Sequence, residues 1–114
     1  MATYTKFQQF VEDLAHGVHN FDSNTIKVAL SNTAPSASAD AVLGDITTVP
    51  TANLDGVTLT KGSSGQTSGT YKYVPNDLTM TANGAVPAFQ YVIIYNDTAA
   101  NDPLICFFDY GTEV

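Results

Sequence analysis

Arginine is absent from this chain, and its four basic residues, all lysine, face eleven acidic ones, for a net charge of −7. Nucleic-acid binders and proteins that sit on anionic membranes need a basic face. The balance therefore argues against both partners. Charge of either sign is scarce: 13 % of residues are charged, about half of the usual share of roughly 25 %. No apolar run approaches the roughly 20 residues that span a bilayer. The opening MATYTKFQQF lacks a basic stretch followed by an apolar one, so no secretory signal is expected. The single cysteine, Cys106, excludes an intrachain disulfide framework.

What remains is a chain of 114 residues, 44 % of them hydrophobic. That is enough for one domain, residues 1–114, with its own core. Few charges and many small polar residues suit strand surfaces and loops better than solvated helices. Such a surface also costs little to desolvate in an assembly.

Periodicity predicts one helix, over about residues 5–16. Phe7, Phe10, Val11, Leu14 and Val18 recur at spacings of three and four. Thr5 and Gln8 have the spacing of a capping box with Thr5 as N-cap, and Gly17 stands where a left-handed terminal residue belongs. The opposite face carries Lys6, Gln9, Glu12 and Asp13. From residue 25 the period becomes two. Thr25–Ser31 reads as a half-buried strand, with Ile26, Val28 and Leu30 on one side. Asn32–Asp40 reads as a loop, Val42–Val49 as either a short helical turn or an edge strand, and Pro50–Asp55 as loop again. Val57–Thr60, Thr70–Val74 and Leu78–Thr81 read as strands, with Lys61–Gly69 a flexible polar tip, Pro75–Asp77 a turn and Asn83–Gly84 a tight turn. Phe89–Tyr95 and Leu104–Phe108 are apolar on both faces, the mark of central strands covered twice. The polar linker Asn96–Pro103 predicts that they pair as an antiparallel hairpin. The helix, whose apolar stripe must be buried, is the expected cover for one face, with a second subunit as the alternative. The ending Asp109–Val114 predicts a sheet edge completed by a partner chain. The expected fold is mainly β: an antiparallel β-sandwich or jelly-roll-like domain with one N-terminal helix.

Chemistry-bearing groups are sparse. Asp13, His16 and His19 have spacings a zinc site can use, but Gly17 ends the helix between the histidines and no fourth ligand follows. They read as helix-end residues near the dipole. Cys106, between Ile105 and Phe107, reads as a buried thiol rather than a nucleophile. Asn96, Asp97, Asn101 and Asp102 lack the order of a calcium loop and suit turns. Gly62, Gly65 and Gly69 are not followed by the Lys-Ser/Thr of a phosphate loop. The Asn96-Asp97-Thr98 sequon has no secretory signal to make it a glycosylation site. No pair of carboxylates stands out as a glycosidase acid and base. No catalytic residue, metal or cofactor is expected. Aromatic residues are the better candidates. Tyr71 and Tyr73 flank Lys72, and Tyr91 and Tyr95 share a face with Phe89. Strand tyrosines form cross-strand pairs, but they also anchor interfaces or stack on sugars. Tyr71, Tyr73, Tyr91, Tyr95 and Phe107 are the candidate interface residues.

Several segments carry a resemblance. The opening Phe7–Asn20 (FQQFVEDLAHGVHN), Thr25–Pro35 (TIKVALSNTAP), Gln66–Tyr71 (QTSGTY), Tyr95–Thr98 (YNDT) and the closing Asp109-Tyr110-Gly111 are similar to segments of small virion proteins of tailed bacteriophages. The resemblance runs over nearly the whole chain. It implies a virion component, in the first place a capsid decoration (cement) protein that binds the outer capsid surface. The implied partners are the major capsid protein and further copies of itself, a homotrimer being favoured. Identical weak contacts on a rigid lattice gain from multivalency. The rival expectations are a tail, fibre or connector protein, including a host-glycan binder acting through Tyr71, Tyr73 or the Asn96–Asn101 loop. An enzyme is the least supported reading.

Overall fold

The computed structural model describes residues 3–50, 54–55, 57–59, 61–75 and 81–111. Most of the expected strand Leu78–Thr81 and of the turn Pro75–Asp77 lies outside that set.

Strand β1 (Thr3–Lys6) leads into helix α1 (Gln8–Ala15), followed by β2 (Ile26–Ser31), a 3-10 turn (Leu43–Asp45), and the short strands β3 (Leu54–Asp55) and β4 (Thr58–Leu59). Then come β5 (Lys61–Thr67), β6 (Thr70–Pro75), β7 (Thr81–Ala82), β8 (Tyr91–Asn96) and β9 (Leu104–Asp109). Five strands form one antiparallel sheet in the order β1-β9-β8-β2-β4, while β5–β6 and β3–β7 form two-stranded pairs. Among the described residues the chain is thus mainly β and antiparallel with one N-terminal helix, in keeping with a β-sandwich.

The two segments apolar on both faces are β8 and β9, paired in the middle of the sheet as expected. Between the Ile94–Cys106 and Tyr95–Leu104 pairs the register shifts, so that Ile105 is an extra residue in β9. Leu104 and Phe107 pack into one core cluster and Ile105 and Cys106 into another, so all four are buried because both faces of the sheet are covered. A half-exposed strand would bury only alternate residues.

One face presents Ala29, Ile93 and Phe107, packed with Phe7 and Ile46 and flanked by Ala37 and Leu43. The loop 32–49 supplies this cover. It is tied down by Val49 N–H to Leu30 O (2.9 Å), Leu104 N–H to Ala41 O (3.0 Å) and Leu43 N–H to Asp102 O (2.9 Å). Of the two readings of Val42–Val49, the short helical turn is the one formed. The other face presents Ile26, Val28, Leu30, Val92 and Cys106, packed with Phe21, Leu59, Val86 and Phe89.

Four expectations need correction. The helix covers neither face. None of its residues is fully buried, Phe10 reaches both cores, and Val11 and Leu14 stay 53 % and 46 % exposed. The fully buried aromatic of the N-terminal segment is Phe7, outside the helix, whose ring lies 5.1 Å from that of Phe107. Thr5 is not an N-cap: it pairs with Phe107 in the ladder, and the helix starts after Phe7 without a side-chain cap. Strand pairing satisfies its backbone and outranks the capping pattern. The edge expected to await a partner chain is occupied by β1, which pairs with β9 from Thr3–Asp109 to Lys6–Cys106. Finally, the polar tip Lys61–Gly69 is a strand, β5, turning at Ser68-Gly69 into β6. Both turn residues have positive φ (52° and 84°), the pattern of a two-residue turn whose twist matches the strands.

The helix end is as read. Gly17 has φ 75°, its N–H meets Leu14 O, and Val18 N–H meets Asp13 O at 2.9 Å. This double closure needs the left-handed residue that glycine provides without strain.

Candidate functional site

An apolar cavity of about 470 Å³ lies between the second sheet face and hairpin β5–β6. Its floor is Ile26, Ile94, Ile105, Cys106 and Phe108 from the sheet, and its walls are Tyr4, Phe10, Phe21, Tyr71 and Tyr73. A groove of about 460 Å³ adjoins it, sharing Phe21 and Tyr71 and adding Leu14, Gly17, His19, Asn20 and Asp22. The wall between them is a chain of rings. Phe10 lies 5.2 Å from His19 and 6.0 Å from Phe21. Phe21 stacks on His19 at 5.8 Å, and lies 5.3 Å from Tyr73 and 6.3 Å from Tyr71. Each such pair adds about 0.5–1.5 kcal/mol beyond area burial. The hairpin is thereby held to the sheet through the segment that follows the helix.

The residues singled out from sequence divide between two faces. Tyr71 and Tyr73 line the cavity, Tyr71 being 51 % exposed. Tyr91 and Tyr95, half-buried, pack against the loop-covered core on the other side. Phe89 does not share their face; it packs against Val28, Leu30 and Val92. Phe107 is only 7 % exposed and lies in the loop-covered core, its ring centroid 5.1 Å from that of Phe7 and 6.3 Å from that of Tyr91. The tyrosines therefore do not form one patch.

Burial pushes the Cys106 thiol up to about 12, against which a hydrogen bond with Tyr4 works only weakly. It is a neutral thiol on the cavity floor. Burial also raises the Tyr4 phenol, and the neighbouring Cys106 adds to that. His16 is the exposed cap of the helix, whereas His19 is buried against the sheet, so the helix terminus separates them. Among the described residues no three His, Cys, Asp or Glu side chains gather as a metal site. In the 96–102 turn Asp97 pairs with Lys27 at 3.2 Å, and Asn101 and Asp102 take positive φ, a conformation these residue types tolerate.

Sequence reasoning missed Asn96. It is completely buried at the end of β8, and both sides of its amide are used. Its Oδ1 accepts from Thr98 N–H (3.0 Å) and Ala99 N–H (3.2 Å). Its Nδ2 donates to Asn24 Oδ1 (2.9 Å) and faces His19 Nδ1 at 3.0 Å. A turn-like asparagine in a polar stretch gave no sign of this, because the two partners of its Nδ2, Asn24 and His19, stand more than seventy residues away.

No family model, curated protein or solved structure matches this chain.

Proposed function

We propose that this protein decorates the capsid of a tailed bacteriophage, seated on the outer shell surface and bridging neighbouring capsid subunits. The observation that carries the reading is the surface of hairpin β5–β6. Residues 62–72 are all exposed, and Lys72 is the only charged side chain among them. β5 and β6 pair only with each other among the described strands, which leaves an outer edge on each. Such an edge adds to a neighbouring chain by main-chain hydrogen bonds, and a surface with a single charge costs little to desolvate there. The resemblance of the sequence to small phage virion proteins supports the same reading. Contact area does the work in it, and no catalytic group, metal or cofactor is called upon. Trimerisation would multiply the weak contacts into stable attachment.

The first test is the copy number in purified particles of the encoding phage, by quantitative mass spectrometry against the major capsid protein. A ratio near one, or a simple fraction of it, supports a shell-covering protein. A handful of copies per particle moves the protein to the tail, and absence ends the virion reading. A second reading, host-glycan binding at a fibre tip, is favoured by Tyr71 standing exposed over the groove beside Asn20 and Asp22. It requires affinity for host polysaccharide that Tyr71→Ala abolishes.

A further inference from the structure

Asn96 cannot turn its amide over, because its Oδ1 holds two backbone N–H groups of the 97–99 turn. Its Nδ2 is therefore a donor toward His19, and Nδ1 of the imidazole must accept. The ring proton then sits on Nε2, which is buried and has no partner among the described residues. Only the neutral imidazole fits this arrangement. A proton added at Nδ1 sets two donors against each other at 3.0 Å.

What His19 fastens is larger than one contact. Through Asn96 and Asn24 the segment after the helix is tied to the end of β8. Through Phe10 and Phe21 the same imidazole belongs to the ring chain that reaches Tyr71 and Tyr73 on the hairpin over the cavity. We propose that His19 and Asn96 form an acid-released latch: the neutral imidazole holds the aromatic wall against the sheet, and protonation frees that wall and opens the apolar cavity.

The groups around the ring set the direction. Asp13 on α1 favours the cation, and burial opposes it more strongly, so His19 lies below its ordinary value of 6.5. Asp22 and Tyr71 line the same groove. Cys106 and Tyr4, from β9 and β1, stand across the adjoining cavity, and Cys106 is uncharged at any physiological pH. Asp97, beside Asn96, is engaged by Lys27. Because the folded value is depressed, the unfolded chain binds the extra proton first. The latch is intact above the ordinary histidine value. Below it, folding is weakened by up to about tenfold per pH unit until the folded value is reached.

The test is histidine-detected nitrogen NMR on the full chain from about pH 8 to about pH 5. It is paired with fluorescence of Nile red, an uncharged dye that the protein's acidity does not repel. The expected result is an Nε2–H tautomer at neutral pH, a His19 midpoint below the ordinary value, and dye binding that rises as His19 titrates. His19→Gln, whose amide oxygen can still accept from Asn96, should leave the dye signal flat over this range. Asn96→Asp should move the His19 midpoint upward, since a carboxylate replaces the facing donor. An Nδ1–H tautomer, a midpoint at or above the ordinary value, or an unchanged dye response in His19→Gln overturns the latch. A wild-type dye signal that stays flat while His19 titrates overturns the latch as well, so the wild-type tautomer, midpoint and dye response together decide the matter even if a variant does not fold. Particle copy number does not depend on this result, so the latch and the decoration role stand or fall separately.

Discussion

Cys106 shows how an environment decides what a side chain can do. Its Sγ lies on the floor of an apolar cavity, and desolvation of the thiolate carries it to about 12 from an ordinary 9.0. At mildly alkaline pH the reactive thiolate fraction is then about a thousandfold lower than for a free thiol. Ellman's reagent should accordingly label the folded protein far more slowly than the urea-unfolded chain. Equal rates in the two states would show that the cavity is open enough to solvate the thiolate. The isolation of Cys106 and its apolar neighbours were legible in the sequence. The hydrogen bond to Tyr4 was not, because β1 reaches β9 only through the pairing of chain positions roughly a hundred residues apart.

At the scale of elements, the N-terminal segment divides its labour unexpectedly. The helical periodicity is real, yet the residue that anchors the segment is Phe7, which precedes the helix, while Val11 faces solvent. Phe7→Ala should cost about 3–5 kcal/mol, the range for removing a buried aromatic ring. Val11→Ala should stay within about 0.5 kcal/mol, as exposed substitutions do. Urea denaturation of the two variants checks the pair. Comparable losses would mean that the helix stripe is covered in solution, which is the arrangement the amphipathic pattern suggested. The hairpin β5–β6 teaches the opposite lesson. Its glycine- and serine-rich composition hid a strand. Cross-strand pairing from Lys61 to Thr67 overrode weak intrinsic propensity, with Ser68-Gly69 supplying the turn.

For the whole molecule, charge and pH set two separate acid limits. Asp45 accepts from the N–H groups of Ala41 (3.0 Å) and Val42 (3.3 Å), and Asp109 from Gln90 Nε2 (3.0 Å) and Gly111 N–H (2.7 Å). These bonds hold both carboxyls below the ordinary 3.8. Their contribution to stability is present above that value and is lost as pH falls past it toward their folded values. Urea midpoints measured across pH should therefore fall in two steps, the upper from His19 and the lower from the carboxylates. Asp45→Asn combined with Asp109→Asn should lower the midpoint near neutrality and flatten only the second step. A lower step of unchanged size would assign it to other acids.

The mainly β class and the central place of the strands formed by Tyr91–Tyr95 and Leu104–Phe108 were determined by the sequence itself. Side-chain periodicity and two-faced apolarity are local consequences of strand geometry. So was the helix end at Gly17, since a left-handed position next to an apolar stripe is written in adjacent residues. Only the tertiary structure decided which parts touch. It put β1 on the open edge of β9, a loop rather than the helix over one face, and the aromatic wall over the other. It also placed Asn96 between His19 and the turn of β8. Those outcomes depend on competition among distant segments for the same apolar surface and the same backbone partners. The winner is set by the total area buried and hydrogen bonds satisfied, which no short window of sequence contains.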